Sequence, residues 1–193
     1  MILVAALLAG ASAPAAGAAT LPERVADVAT RFCMDMVSRA VPIPAVGADE
    51  ERVFARYGLV PGVPDAAMKA LGRPGTSLLS RATLASGTAS DGAFVVALGG
   101  AAGETCRIIV YGAVSADPSH TASAAMQVTA RGWRALPEPP QPTPAVTRIT
   151  LLKRVTSGRP FIANLITPRT PGPVAMIVNV AAVPPTVTIP QGY

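Results

Sequence analysis

One histidine, two cysteines and a scatter of serines and carboxylates are the residues of this 193-residue chain whose side chains could do chemistry. His120 has Asp117 three residues before it and Ser119 and Ser123 close by, which superficially suggests a Ser-His-Asp relay. Such a relay places nucleophile, base and orienting acid on separate supports, and no Gly-x-Ser-x-Gly elbow occurs to expose a strained serine. The expectation for His120 is therefore a solvent-facing residue in the first turn of a helix. Asp91, Glu104 and Asp117 fall at loops or strand ends, where a pair of carboxylates could hydrolyse a glycoside if held about 5–9 Å apart. Sequence spacing does not fix that separation, and turn-forming Asp with exposed Glu is the simpler reading. Gly99 to Gly103 is rich in glycine, but no lysine follows it, so it fits a hairpin loop rather than a phosphate cradle. No catalytic residue, metal site or cofactor is assigned.

Cys33 and Cys106 are the only cysteines. In an oxidising compartment an even number invites a disulfide, and this one would pin the first helix to the head of the third strand. No CxxC pair is present, so thiol exchange of the thioredoxin type has no local support. The compartment is suggested by the start of the chain. Ile2 to Leu8 is a short apolar run, and Ala16-Gly17-Ala18 has the small-x-small pattern of a cleavage site, so residues 1–18 are read as a secretory leader. The run is too short to span a bilayer, and no membrane span is expected.

The elements that must position these residues are written in the hydrophobic spacing. Thr20-Leu21-Pro22-Glu23 is a capping box ahead of Val25, Val28, Phe32, Met36 and Ala40, which predicts a helix from Leu21 to Ala40. Shorter helices are expected at Asp49–Tyr57 and Pro64–Leu71, closed by Gly58 and Gly72. Strands follow at Leu78–Ala85, Ala93–Leu98 and Cys106–Tyr111. Next comes a helix opened by Asp117 and Pro118 that runs to about Trp133, with Ala122, Met126, Ala130 and Trp133 as its buried line. Beyond a proline-rich connector at 137–144, three further strands are expected at Val146–Val155, Phe161–Thr167 and Val174–Val180. The fold class is α+β: N-terminal helices, then a mainly antiparallel sheet in a β3-α-β3 order with helices packed on it. Residues 19–193 are read as one domain, because each three-stranded half alone would have too small a core. A division at the connector is the alternative.

Hydrophobic residues make up 50% of the chain and charged residues only 14%, which excludes a charge-rich disordered chain or coiled coil. Residues 1–138 hold 11 basic and 11 acidic side chains, so the whole net charge of +5 comes from Arg148, Lys153, Arg154, Arg159 and Arg169 in the last third. Lys153, Arg154 and Arg159 flank the Thr156-Ser157-Gly158 turn and are the candidate anion-binding residues. Aromatic residues are 4% of the chain, too few for a base-stacking platform, so nucleic acid is not the expected partner. An exported chain with one disulfide and a basic hairpin tip points to a non-catalytic binding protein of the bacterial cell envelope. Its partner would be an envelope protein or an anionic polymer or lipid headgroup. The competing class is a small secreted hydrolase using Ser or carboxylate chemistry.

Overall fold

In the computed structural model the described residues are 19–40, 42, 47–79, 83–99, 104–112, 117–137, 146–155, 158–168 and 172–189. The leader, most of the proline-rich connector, Arg169 and the centre of the glycine-rich loop lie outside them. The fold is α+β. Its helices are α1 (Leu21–Val28), α2 (Met34–Ser38), α3 (Ala48–Ala55), α4 (Asp65–Leu79) and α5 (Pro118–Thr129). Its strands are β1 (Val60–Pro61), β2 (Thr83–Ala89), β3 (Gly92–Gly99), β4 (Thr105–Tyr111), β5 (Arg134–Ala135), β6 (Val146–Lys153), β7 (Phe161–Pro168) and β8 (Val174–Ala182).

All eight strands join one sheet in the order β1-β2-β3-β4-β8-β7-β6-β5, every pair antiparallel. Strands consecutive in sequence pair on either side, β1 and β2 with α4 between them, and the long-range pairing of β4 with β8 joins the two halves. Side chains alternate across the sheet. Phe94, Val96 and Leu98 of β3, Ile108 and Val110 of β4, and Val178 and Val180 of β8 point to the face covered by α1, α2 and α5, where the main core lies. Val95, Ala97, Ile109 and Tyr111 point the other way, against Ala67 and Leu71 of α4.

The first helix is continuous but not uniform. Between α1 and α2 the residues Ala29–Cys33 form a π turn. Phe32 and Cys33 in this turn are both fully buried. Within it the Thr30 hydroxyl donates to the Ala26 carbonyl at 2.7 Å, a back-bond that competes with the regular ladder. Phe32 packs tilted on Phe54 of α3 at 5.5 Å and edge-on to Tyr57 at 5.1 Å between ring centroids. At the start of α1, Glu23 accepts from the Thr20 amide at 2.8 Å. Asp91, in the β2–β3 turn, accepts from the Leu21 amide at 2.6 Å, so a residue 70 positions away satisfies an orphan N–H of this helix.

Three expectations need correction. The strand expected at Leu78–Ala85 starts only at Thr83, and Leu78 and Leu79 belong to the second segment of α4. Gly72 (φ 59°, ψ −169°) breaks α4, and Pro74 then restarts the helix with its φ already set. The first helix ends at Ser38, leaving Ala40 exposed. The expected buried line of α5 is wrong except for Trp133: Ala122, Met126 and Ala130 are exposed, α5 ends at Thr129, and the buried residues are Thr121, Ala124, Ala125 and Val128. These small side chains let α5 pack closely on α1, and the Thr121 hydroxyl is hydrogen-bonded to that of Thr167 on β7. A close helix–helix contact favours these smaller residues over Met126.

On the far face α4 covers β3 and β4. On the other strands a polar row crosses that face in register, from Arg107 on β4 to Asn179 on β8, Asn164 on β7 and Thr150 on β6. Arg107 Nε donates to Asn179 Oδ1 at 2.7 Å, and the Thr150 hydroxyl donates to Asn164 Oδ1 at 2.9 Å.

Cys33 and Cys106 are bonded, with Cα atoms 5.3 Å apart across a separation of 73 residues. For a loop of that size, chain entropy assigns the bridge about 4 kcal/mol. The paired Cys33→Ala, Cys106→Ala variant is expected to lose a large part of this, read as a lower urea midpoint; an unchanged midpoint would show that packing alone holds helix to sheet. A second expectation concerns Tyr57, whose phenol donates to Asp35 Oδ2 at 2.8 Å. Burial, followed by the Asp35 hydrogen bond, pushes its pKa up to about 12. The folded value lies above the unfolded one, so this stabilisation is complete below about pH 10 and is lost as the pH rises to about 12. Tyr57→Phe should abolish the latest phenolate absorbance step and flatten the alkaline fall in stability.

Candidate functional site

The hairpin of β6 and β7 ends beside the C-terminus of α2, and the space between them is an open cleft of about 750 Å³. Its apolar lining includes Met34 and Val37 from α2, Val155 after β6 and Phe161 opening β7. Three charged residues stand around it: Arg39, Arg159 and Glu104. Their side chains form no hydrogen bond or ion pair among the described residues, so their charges remain available to a ligand. The disulfide joins the chain close in sequence to both walls of the cleft. Cys33 precedes Met34, and Cys106 stands two residues after Glu104, so the bridge holds the helical wall and the sheet wall together.

Arg39 enters this site at a conformational cost. It follows the last residue of α2 with φ 60° and ψ 24°, the only non-glycine residue with positive φ among the described residues. Its amide donates to the Met36 carbonyl at 3.1 Å, and the Ala40 amide donates to the Asp35 carbonyl at 2.9 Å. This ending normally carries glycine. An L-residue there costs about 1–2 kcal/mol, and strain of this kind concentrates at functional sites.

The three basic residues singled out in the sequence have separate surroundings. Arg159 lines the cleft. Lys153 is half-buried and its ammonium donates to the Arg131 carbonyl at 2.9 Å, tying β6 to the turn after α5. Gly132 in that turn has φ 83°, and a Cβ there would sit 2.7 Å from the Lys153 ammonium. Arg154 lines a second, smaller hollow of about 250 Å³ with Arg134, Leu152 and Gly132. Arg39 and Arg134 were not singled out in the sequence. No local pattern marks Arg39, because glycine is the usual residue at such a helix ending.

The residues considered for catalysis are also separated. Asp91 caps α1, and Glu104 lines the cleft. They lie at opposite ends of β3, which at strand rise puts them about 20 Å or more apart, beyond the reach of a glycosidase pair. Asp117 caps α5, accepting from the Ser119 amide at 2.8 Å, and this bond draws its carboxyl below the ordinary range. His120 is half-buried rather than solvent-facing, because it adjoins the buried Thr121 at the start of α5. Its Nδ1 is buried without a hydrogen-bond partner. Neither Ser119 nor Ser123 is hydrogen-bonded to His120 among the described residues. Among the described residues no group of three or more His, Cys, Asp or Glu side chains could hold a metal ion, and no helix is long and apolar enough to cross a membrane.

No protein-family model matches the chain, and neither curated proteins nor solved structures give a significant match.

Arg39→Gly should relieve the left-handed strain and raise thermal or urea stability by about 0.5–1 kcal/mol. A loss of stability would show that the arginine side chain contributes more to the fold than its backbone conformation costs.

Proposed function

We propose that the protein is an exported, non-catalytic binding protein of the bacterial cell envelope, and that it holds an acidic group of its ligand in the cleft between α2 and the β6–β7 hairpin. The observation that carries this reading is Arg39: a left-handed, strained residue, whose guanidinium has no hydrogen-bond or ion-pair partner among the described residues, lines the same cleft as Arg159. Two guanidinium groups beside an apolar lining suit a carboxylate, phosphate or sulfonate attached to a carbon body. The cleft volume lies within the usual range for ligand sites, about 300–1,000 Å³. Export is supported by the leader-like start and by the disulfide, which persists in oxidising compartments.

The test uses an apolar sulfonate, 1-anilinonaphthalene-8-sulfonate, whose fluorescence rises on entering an apolar site. Binding to the oxidised protein should saturate at one site and be competed by inorganic phosphate. Arg39→Ala and Arg159→Ala should each weaken it about tenfold or more, the worth of one charge-assisted hydrogen bond. Equal binding to wild type and both variants would overturn the reading.

A further inference from the structure

The cleft between α2 and the β6–β7 hairpin carries charges of both signs, and they do not meet. Arg39, Arg159 and Glu104 all line it and all three are exposed, yet none forms an ion pair or hydrogen bond among the described residues. Strand pairing accounts for the separation. Thr105 pairs with Ala181, so Glu104 stands beside Ala182 at the end of β8. On the other side of β8 Phe161 pairs with Ala182, and the Val183 amide donates to the Pro160 carbonyl at 2.8 Å, so the chain that carries Arg159 keeps to that side. Two strand spacings, about 10 Å, therefore lie between the backbones of Glu104 and Arg159. The floor between them is apolar, made by Ala182, Phe161 and Pro184, with Met34 and Val37 of α2 as the wall.

We infer that the ligand of this cleft is a short apolar peptide with both ends free, its terminal carboxylate held by Arg39 and Arg159 and its terminal ammonium by Glu104. The inference rests on the cleft being an anion site, as proposed above, and gives a role to the carboxylate that stands among the arginines. A ligand bearing acid alone gains the two guanidinium groups but meets Glu104 as a like charge. In a single amino acid the ammonium and the carboxylate share one carbon and cannot lie on opposite sides of the floor. A chain of two or three residues spans about 7–10 Å when extended, which brings its two charges to both sides while its apolar side chains cover the floor. The guanidinium fork matches a carboxylate, and the three donors of an ammonium need an acceptor such as Glu104 once they leave water. A longer chain cannot place both of its ends here.

The experiment measures displacement of 1-anilinonaphthalene-8-sulfonate from the full oxidised chain. The competitors are the tripeptide Ala-Leu-Val with both ends free, its N-acetyl form, which lacks the ammonium, and its C-terminal amide, which lacks the carboxylate. O-phosphoethanolamine, a zwitterion without an apolar body, is the fourth. The free tripeptide should bind about threefold or more tighter than either blocked form, as expected of one exposed ion pair. Glu104→Gln alters an exposed side chain with no partner among the described residues. It should erase the advantage over the N-acetyl form, tighten the sulfonate, and leave the melting temperature unchanged; a damaged fold would weaken both ligands together. Equal binding of the free and N-acetyl tripeptides to the wild-type protein, an advantage that survives Glu104→Gln, or displacement by O-phosphoethanolamine with none by the tripeptide would overturn the inference. Sulfonate binding that still depends on Arg39 and Arg159 would then leave the cleft reading intact, whereas failure of the sulfonate to bind would remove both.

Discussion

The covalent tie between Cys33 and Cys106 is the constraint on which the rest of the structure depends. It joins a helix at the beginning of the described chain to the strand through which the two halves of the sheet meet. β4 pairs with β3 on one side and β8 on the other, so a bond to its second residue fixes the helix against both halves at once. Cys33 is the last residue of the π turn. It and Phe32 before it, the last two residues of that turn, are both fully buried. Phe32 then anchors Phe54 and Tyr57, and α3 is positioned through the same few residues.

The backbone strain lies at the end of the same helix. Five residues after the π turn, at Ser38, the helix stops. The chain reverses through a left-handed residue, and that residue is an arginine rather than a glycine. Glycine would serve the backbone better, so the backbone requirement does not explain the side chain. A cation at the C-terminus of a helix gains from the dipole, but only a few tenths of a kcal/mol to about 1 kcal/mol at an exposed position, which does not clearly exceed the left-handed penalty. What remains is the cleft into which Arg39 is set beside Arg159.

The sequence made much of the fold legible because most elements carry their own signals. Asp117 and Pro118 opened α5 where expected, Asp91-Gly92 turned β2 into β3, and the last three strands fell within a residue or two of their apolar runs. The failures have physical causes. Leu78 and Leu79 suit strand or helix equally, and only the preceding Gly72 and Pro74 decide between them. The inner face of α5 depends on how closely α1 approaches, a tertiary fact that favoured alanine over methionine. The site was less legible than the fold. Its basic residues could be seen as a concentration of charge near one turn, but strand alternation sends neighbours to opposite sides, so Arg154 and Arg159 have different surroundings. Arg39 lies more than a hundred residues from both, and only the disulfide and the sheet bring it near.

The far face of the sheet shows how the architecture tolerates incomplete cover. α4 shields β3 and β4, where Val95, Ala97, Ile109 and Tyr111 make that face apolar. Further along, the row from Arg107 through Asn179 and Asn164 to Thr150 gives the same face a polar character. A half-covered sheet surface made entirely of valine and isoleucine would be an aggregation hazard, and these side chains pair with each other while remaining partly solvated. Cross-strand pairs also fix register: slipping β8 by one residue against β7 would send Asn179 into the helix-side core without its partner, which is costly for an unpaired polar group. Register in turn determines which cations gather at the end of the β6–β7 hairpin. The polar row in the middle of the sheet and the cleft at its end are thus linked, since the first fixes the alignment that assembles the second.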